Sequence, residues 1–132
     1  MTGKKDIEKQ DGMDFEIKFF EAVLQKRPHF IEALVALGDL YTKKGLYEKG
    51  LTVDEKLTKL RPHDPVILYN LACSHSLLND IEKSLKTIKL AIELGYDDFE
   101  YLEYDSDLKN LRQDSRFQEF FYKIRKTTTE NK

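Results

Sequence analysis

The sequence predicts an all-α chain of antiparallel helix pairs, and three observations lead to that prediction. The tripeptide Arg-Pro-His occurs twice, at 27–29 and 61–63, with a spacing of 34 residues. Apolar residues recur at the three- and four-residue intervals of a helix, and no stretch alternates for long enough to form a strand. Glycine and proline stand between these apolar runs, so short turns should join helices that pack antiparallel.

Three helices are predicted up to the second tripeptide, over 13–27, 31–44 and 46–60. The first should end at Pro28, because proline has no N–H to donate and clashes with the preceding helical turn. Gly45 should end the second, since glycine readily adopts the left-handed conformation that closes many helices.

Two further helices are predicted over 65–78 and 81–94. Asp64 suits the N-cap of the first of these, because its carboxylate can accept hydrogen bonds from the unpaired N–H groups of the first turn. Pro65 fits that first turn, where no N–H donor is required. Polar residues at 79–80 should form the turn between the two helices.

The 34-residue unit resembles the tetratricopeptide repeat (TPR), a helix–turn–helix motif with large and small residues at fixed positions. Small residues at Gly38 and Ala72 would let the paired helix approach closely, as would Gly50 and Ser84 on the facing helix. The positions that match are Leu34, Leu37, Gly38, Tyr41, Gly50 and Pro62 in one copy, and Leu68, Leu71, Ala72, Ser84 and Ile88 in the next. The resemblance implies a right-handed α-solenoid of antiparallel helix pairs.

Two positions depart from the TPR pattern. Asp54 stands where an aromatic residue is expected, and Tyr96 stands where proline is expected. Either the helix rolls, so that Val53 fills the core and Asp54 stays in water, or Asp54 is buried against a cation or a histidine. Because burying an unpaired carboxylate is costly, we expect the helix to roll.

The repeat period predicts a single TPR-like domain over 13–126, between polar ends that should be disordered. Its expected parts are a half-repeat at 13–28, repeats at 31–64 and 65–98, and a C-terminal cap at 99–126, with disordered ends at 1–12 and 127–132. Residues 104–117 resemble the closing segment of some bacterial TPR proteins, in which Leu108 and Leu111 would help to cover the open end of the stack. Asp107 and Asp114 suit helix N-termini there.

Composition narrows the classes of function. The 132 residues suit one compact domain that needs no disulfide or metal to bury a core. Basic residues number 22 and acidic residues 24, a balance that disfavours nucleic acid as a partner. No apolar run approaches the ~20 residues of a membrane helix, and no secretory leader is visible. We therefore expect a cytoplasmic protein with no membrane insertion.

No group of residues typical of catalysis or cofactor binding stands out. Cys73 and His75 lie two positions apart, which places them on different sides of a helix, and the repeat register sends His75 into the core. A single cysteine excludes an internal disulfide and a cysteine-rich zinc module. The glycines form no phosphate-binding loop. We expect no enzymatic activity, no cofactor and no metal site.

The TPR resemblance implies instead a concave groove that holds a peptide or protein segment. Tyr69 should be exposed in this groove with Asn70 beside it, and the acidic residues nearby should favour a basic or neutral partner. The groove candidates are Glu32, Val35, Asp39, Thr42, Tyr69, Asn70, Cys73, Ser76 and Glu103, with Glu100 and Tyr104 continuing the surface. Two alternatives stay open: the acidic segment 96–107 is the binding face, or the chain self-assembles into homo-oligomers.

Overall fold

The computed structural model describes residues 3–130, and every regular element in that range is helical. The elements are α1 (Lys4–Lys26), α2 (Ile31–Lys43), α3 (Tyr47–Leu60), α4 (Pro65–Leu77), α5 (Ile81–Glu93), α6 (Phe99–Tyr104), a 3-10 helix (Ser106–Leu108), α7 (Lys109–Arg112) and α8 (Ser115–Glu130). The predicted all-α fold class is confirmed. Within residues 3–130, none of the helices combines the length and the apolar character that crossing a membrane requires.

The chain folds as two compact units, and the division falls between Pro62 and His63. The first unit contains α1 to α3, and the second contains α4 to α8. Each unit is described separately below.

In the first unit, α2 packs against both α1 and α3. The contact with α3 depends on a residue without a side chain, because a Cβ on Gly38 would lie 3.3 Å from the side chain of Val53. The contact with α1 includes a hydrogen bond of 2.6 Å that the Tyr41 hydroxyl donates to Glu21. Gly45 follows α2 with a φ of +84°, a left-handed conformation that suits glycine, as predicted for the end of this helix.

The prediction for Val53 and Asp54 is correct for the first residue and wrong for the second. Val53 is buried, as expected, but Asp54 is buried too, so the prediction that it stays in water is wrong. Both side chains lie about equally close to Gly38, because the Asp54 Oδ1 atom and a Val53 methyl carbon would each stand 3.3 Å from a Cβ there. The missing glycine side chain therefore leaves room for both residues, and α3 has no need to turn one of them outward.

The ends of the chain also differ from expectation. Residues 1–12 were expected to be disordered, but α1 begins at Lys4 and runs without a break to Lys26. This stretch contains lysine, glutamate and glutamine, which favour helix, and no proline interrupts it. At the other end α8 continues past 126 to Glu130, while positions 1–2 and 131–132 lie outside the described residues.

In the second unit, α4 and α5 form the helix pair of the second predicted repeat. Ser84 donates a hydrogen bond of 2.8 Å to the Ala72 carbonyl oxygen, and both residues are buried. The two small residues therefore bring the helices close together, as the repeat pattern predicts. Asp64 caps α4 by accepting hydrogen bonds from the N–H groups of Val66 and Ile67.

The C-terminal elements complete the core of the second unit. Leu102, Leu108 and Leu111 are fully buried in one apolar cluster with residues of α4 and α5. Asp114 caps α8, as predicted, by accepting hydrogen bonds from two N–H groups of its first turn. The turn before Leu108 is capped by Asp105 and not by Asp107, whose own N–H donates to the Asp105 side chain.

Candidate interaction surface

The α2 residues of the predicted groove lie mostly on the surface of the first unit. Glu32, Val35 and Asp39 are exposed. Asp39 forms an ion pair of 2.8 Å with Lys43, so the two charges largely offset each other on this face. Thr42 is only half-buried and points away from it, because its hydroxyl donates to the Gly38 carbonyl on the α3 side.

A cleft of about 500 Å³ opens beside Asp39, between α1 and α2. Its apolar lining includes Met13, Phe20 and Leu40, and charged residues of both signs line it as well. Because these charges are balanced, the cleft offers no preference for a partner of one sign.

On α4, by contrast, three of the four predicted groove residues are buried and not available to a partner. Tyr69, Cys73 and Ser76 are all buried, and Tyr69 is only 3% exposed, so the predicted exposed tyrosine is wrong. Asn70 beside them is half-buried. The physical reason is that residues 105–111 of the same unit pack onto this side of α4.

Tyr69 is held at this contact from two sides. Its hydroxyl donates a hydrogen bond of 2.7 Å to Oδ2 of Asp105, and its ring stacks on Tyr96 at 4.2 Å between centroids. The Cys73 thiol also lies 3.7 Å from the same carboxylate oxygen. Burial raises the pKa of Tyr69 far above its usual range, and burial likewise raises the pKa of Tyr96 to about 12. Both hydroxyls therefore stay protonated at neutral pH.

Ser76 is held in the same way further along α4. Its hydroxyl oxygen accepts a hydrogen bond of 3.1 Å from the Leu111 N–H, and its carbonyl accepts one of 3.0 Å from the Asn110 amide. A signal for this burial was present in the sequence. Helix α4 reads PVILYNLACSHSL, with apolar residues on all sides, and a helix of that kind is normally enclosed by other elements.

A different part of the second unit is exposed and carries a consistent charge. We define the acidic–aromatic surface as Asp97, Asp98, Glu100, Tyr101 and Tyr104, in and just before α6. Tyr104 is 82% exposed and Tyr101 is 56% exposed, and the three acidic residues are exposed as well. Large exposed aromatic side chains among charges of one sign are typical of a contact surface.

Glu103, the last of the predicted groove residues, is set apart from this surface. It is half-buried and lies 3.4 Å from Nε of Arg125, so its charge is compensated within the unit. It borders a cleft of about 390 Å³ that includes Phe117 and Phe121.

Cys73 and His75, which were considered for catalysis or metal binding, are both buried in the second unit. His75 is buried, as the repeat register predicts, and Cys73 is buried one turn from Tyr69. Within residues 3–129, no three side chains of the histidine, cysteine, aspartate or glutamate type are grouped so that they could hold a metal ion.

Comparison with known proteins places the two helix pairs in one family. The family model for the tetratricopeptide repeat matches residues 31–64 and 66–95. The chain is 34% identical to a chloroplastic protein of Arabidopsis thaliana over an alignment of 80 positions, which covers 58% of this chain and 24% of that protein. It is 32% identical to the CTR9 homolog of Arabidopsis thaliana, over 71% of this chain and 10% of that protein. The chain thus spans about a quarter or less of these relatives.

Solved structures with the same fold include two of MamA. One, of residues 41 to the end of MamA from Desulfovibrio magneticus RS-1, has a TM-score of 0.67 at 17% identity and covers 92% of this chain and 71% of that chain. A second MamA crystal structure has a TM-score of 0.66 at 23% identity, covering 94% and 75% of the two chains. At this level of identity the likeness concerns the fold.

Proposed function

We propose that this chain, which belongs to the tetratricopeptide repeat family, captures a basic segment of another protein through its acidic–aromatic surface. Repeats of this family are scaffolds for protein–protein interaction and not catalysts. The observation that carries the proposal is the burial of Tyr69, Cys73 and Ser76. With that side of α4 occupied by residues 105–111, the exposed tyrosines and carboxylates of the acidic–aromatic surface become the best candidate for contact.

The chemistry of this surface suits lysine and arginine side chains. A cation placed over an exposed tyrosine ring gains roughly 0.5–1 kcal/mol, and Tyr101 and Tyr104 each offer such a ring. The carboxylates of Asp97 and Glu100 add attraction that steers a basic segment towards the rings. Exposed charges are screened by salt, so the binding should weaken as the ionic strength rises.

The exposed face of α2 is the other surface of the predicted groove that a partner could contact. Val35 gives it an apolar contact, and Glu32 and Asp39 give it negative charge. However, the ion pair between Asp39 and Lys43 compensates one of these charges, so this face attracts a basic segment less strongly.

The test is a titration of the protein into a fluorescein-labelled peptide in which lysine alternates with alanine, followed by fluorescence anisotropy. We expect the wild-type chain to bind this peptide and to ignore a matched peptide with glutamate in place of lysine. The double variant Tyr104→Ala/Glu100→Lys should bind the lysine peptide about tenfold more weakly, because it loses one ring and reverses one charge.

Two controls distinguish the surfaces. Tyr122→Ala removes another exposed tyrosine, on α8, and should leave the affinity unchanged. Asp39→Lys reverses a charge on the α2 face and should change the affinity by less than about threefold. If Asp39→Lys abolished binding while Tyr104→Ala/Glu100→Lys did not weaken it, the binding face would be α2 and the proposal would be wrong.

A further inference from the structure

Helix α1 carries a row of exposed residues on the side away from its buried residue Ile17, and one member of the row, Gly12, also borders the cleft between α1 and α2. Met13 and Ile17 are buried against the rest of the first unit, whereas Phe15 is 74% exposed and Phe19 is 55% exposed. We call the row the α1 stripe; it consists of Glu8, Gly12, Phe15, Phe19, Ala22 and Lys26, all of them exposed. Exposed phenylalanines one turn apart on a helix need an explanation, because most such rings are buried.

The spacing of the α1 stripe is that of a coiled-coil seam. Its members follow one another at alternating intervals of four and three residues, which keeps them on one line along the helix. The stripe is also symmetric about its centre at residue 17. An acidic residue, a small residue and a phenylalanine on one side mirror a phenylalanine, a small residue and a basic residue on the other.

We propose that the occupant of this stripe is a second copy of the chain, whose α1 packs antiparallel on the first about a two-fold axis near residue 17. In that arrangement Phe15 lies opposite Phe19 of the second copy, and Gly12 lies opposite Ala22. The small pair lets the helices approach at each end of the phenylalanine cluster. Glu8 meets Lys26 of the second copy, so the outermost pairs carry opposite charges.

A parallel arrangement is disfavoured by the same residues. It would place Phe15 on Phe15 and Phe19 on Phe19, but it would also place Glu8 on Glu8 and Lys26 on Lys26, where like charges repel. The order of the charges along α1 therefore favours the antiparallel dimer. This inference goes beyond the capture of a basic segment, because it uses only residues of α1.

The dimer should be weak. A phenylalanine ring buries roughly 200 Å² at most, so the four rings stay well below the roughly 1,200 Å² of a standard specific interface. Glu16 and Lys18 flank the stripe on opposite sides, and each would face its own counterpart across the axis, where like charges repel. We therefore expect a dimer that forms with a dissociation constant on the order of 10 to 100 μM.

The experiment is sedimentation velocity on the full chain, from about 1 μM to about 1 mM. The average mass of the wild type should rise from 15.5 kDa towards twice that value. Phe15→Gln/Phe19→Gln should remain monomeric at every concentration, and circular dichroism should show the same helix content, because both positions are exposed. The matched control Tyr104→Gln removes an exposed aromatic residue elsewhere and should dimerise as the wild type does.

A charge exchange tests the antiparallel register. Glu8→Lys or Lys26→Glu alone should each raise the dissociation constant about threefold. The two-fold axis gives the dimer two Glu8–Lys26 pairs, so each substitution disrupts both. The double variant Glu8→Lys/Lys26→Glu should recover the wild-type dissociation constant, since opposite charges meet again.

Cysteine cross-linking also tests the register. Oxidation of a mixture of Gly12→Cys and Ala22→Cys chains should give a cross-linked heterodimer. Neither variant alone should cross-link, because its own cysteines lie about 15 Å apart along the axis.

Two outcomes would overturn the inference. One is a wild type that stays monomeric up to about 1 mM, and the other is a Phe15→Gln/Phe19→Gln variant that associates as strongly as the wild type. Cross-linking of Gly12→Cys with itself would contradict the antiparallel register. None of these results bears on the lysine peptide, whose binding depends on α6.

Discussion

Replacing Tyr69 by phenylalanine should loosen residues 105–111 from α4. The substitution removes one hydroxyl and keeps the ring, so the stack on Tyr96 at 4.2 Å is preserved. What is lost is the 2.7 Å hydrogen bond to Oδ2 of Asp105, whose acceptor is a carboxylate. A hydrogen bond to a charged group contributes roughly 1.5–3 kcal/mol, and the buried position of Tyr69 places this one towards the upper part of that range.

The assay is urea denaturation followed by circular dichroism, with Tyr69→Phe, Asp105→Asn and the double variant compared with the wild type. Each single variant should lower the free energy of unfolding by about 2–3 kcal/mol, and the double variant should cost much less than the sum of the two. Tyr69→Ala should cost more, about 3–5 kcal/mol, because it also empties the space that the ring fills.

Additive effects would contradict a coupling between the Tyr69 hydroxyl and Asp105. If Tyr69→Phe changed the unfolding free energy by less than about 0.5 kcal/mol and the two single variants simply added, the hydroxyl and Asp105 would not be coupled. In that case α4 would not be closed by this contact, and the predicted groove would have to be reconsidered.

Three further predictions concern stability, each measured by denaturation. Gly38→Leu should lower the unfolding free energy by about 1–3 kcal/mol, because even its Cβ would lie 3.3 Å from the side chains of Val53 and Asp54. Leu111→Ala should cost about 2–5 kcal/mol, since this fully buried side chain leaves a cavity beside α4. The raised pKa of Tyr69 predicts that stability is complete below pH 10.0, the ordinary value, and falls as the pH rises above it, because only the unfolded chain then loses this proton. In Tyr69→Phe this alkaline loss should be smaller than in the wild type.

Where helices begin and end was largely predictable, because the signals are local. The helix predicted over 65–78 is α4 (Pro65–Leu77), and Asp64 caps it with the expected hydrogen bonds. The start of α1 was not predictable from apolar spacing. Residues 4–6 and 8–12 are exposed, so no buried side chain among them marks the start of the helix, and the helix propensity of their polar residues is the signal that remains.

The candidate site was harder to predict for a different reason. Whether Tyr69 is exposed depends on Asp105, which lies 36 residues further along the chain. The repeat register places Tyr69 on one side of α4 but carries no information about what packs there. By contrast, the exposure of Asp39 depends only on its own helix and on the neighbouring α1, and Asp39 is exposed as expected. Tyr104 was identified only as a continuation of the groove, whereas it is the most exposed of the large aromatic residues described.

Amide NMR spectra of the ¹⁵N-labelled chain, recorded during titration with the lysine–alanine peptide, show whether the acidic–aromatic surface or the exposed face of α2 receives a basic segment. We expect the largest chemical-shift changes to fall within 97–104 and those within 32–43 to stay near zero. Changes concentrated within 32–43, with 97–104 unaffected, would contradict this expectation.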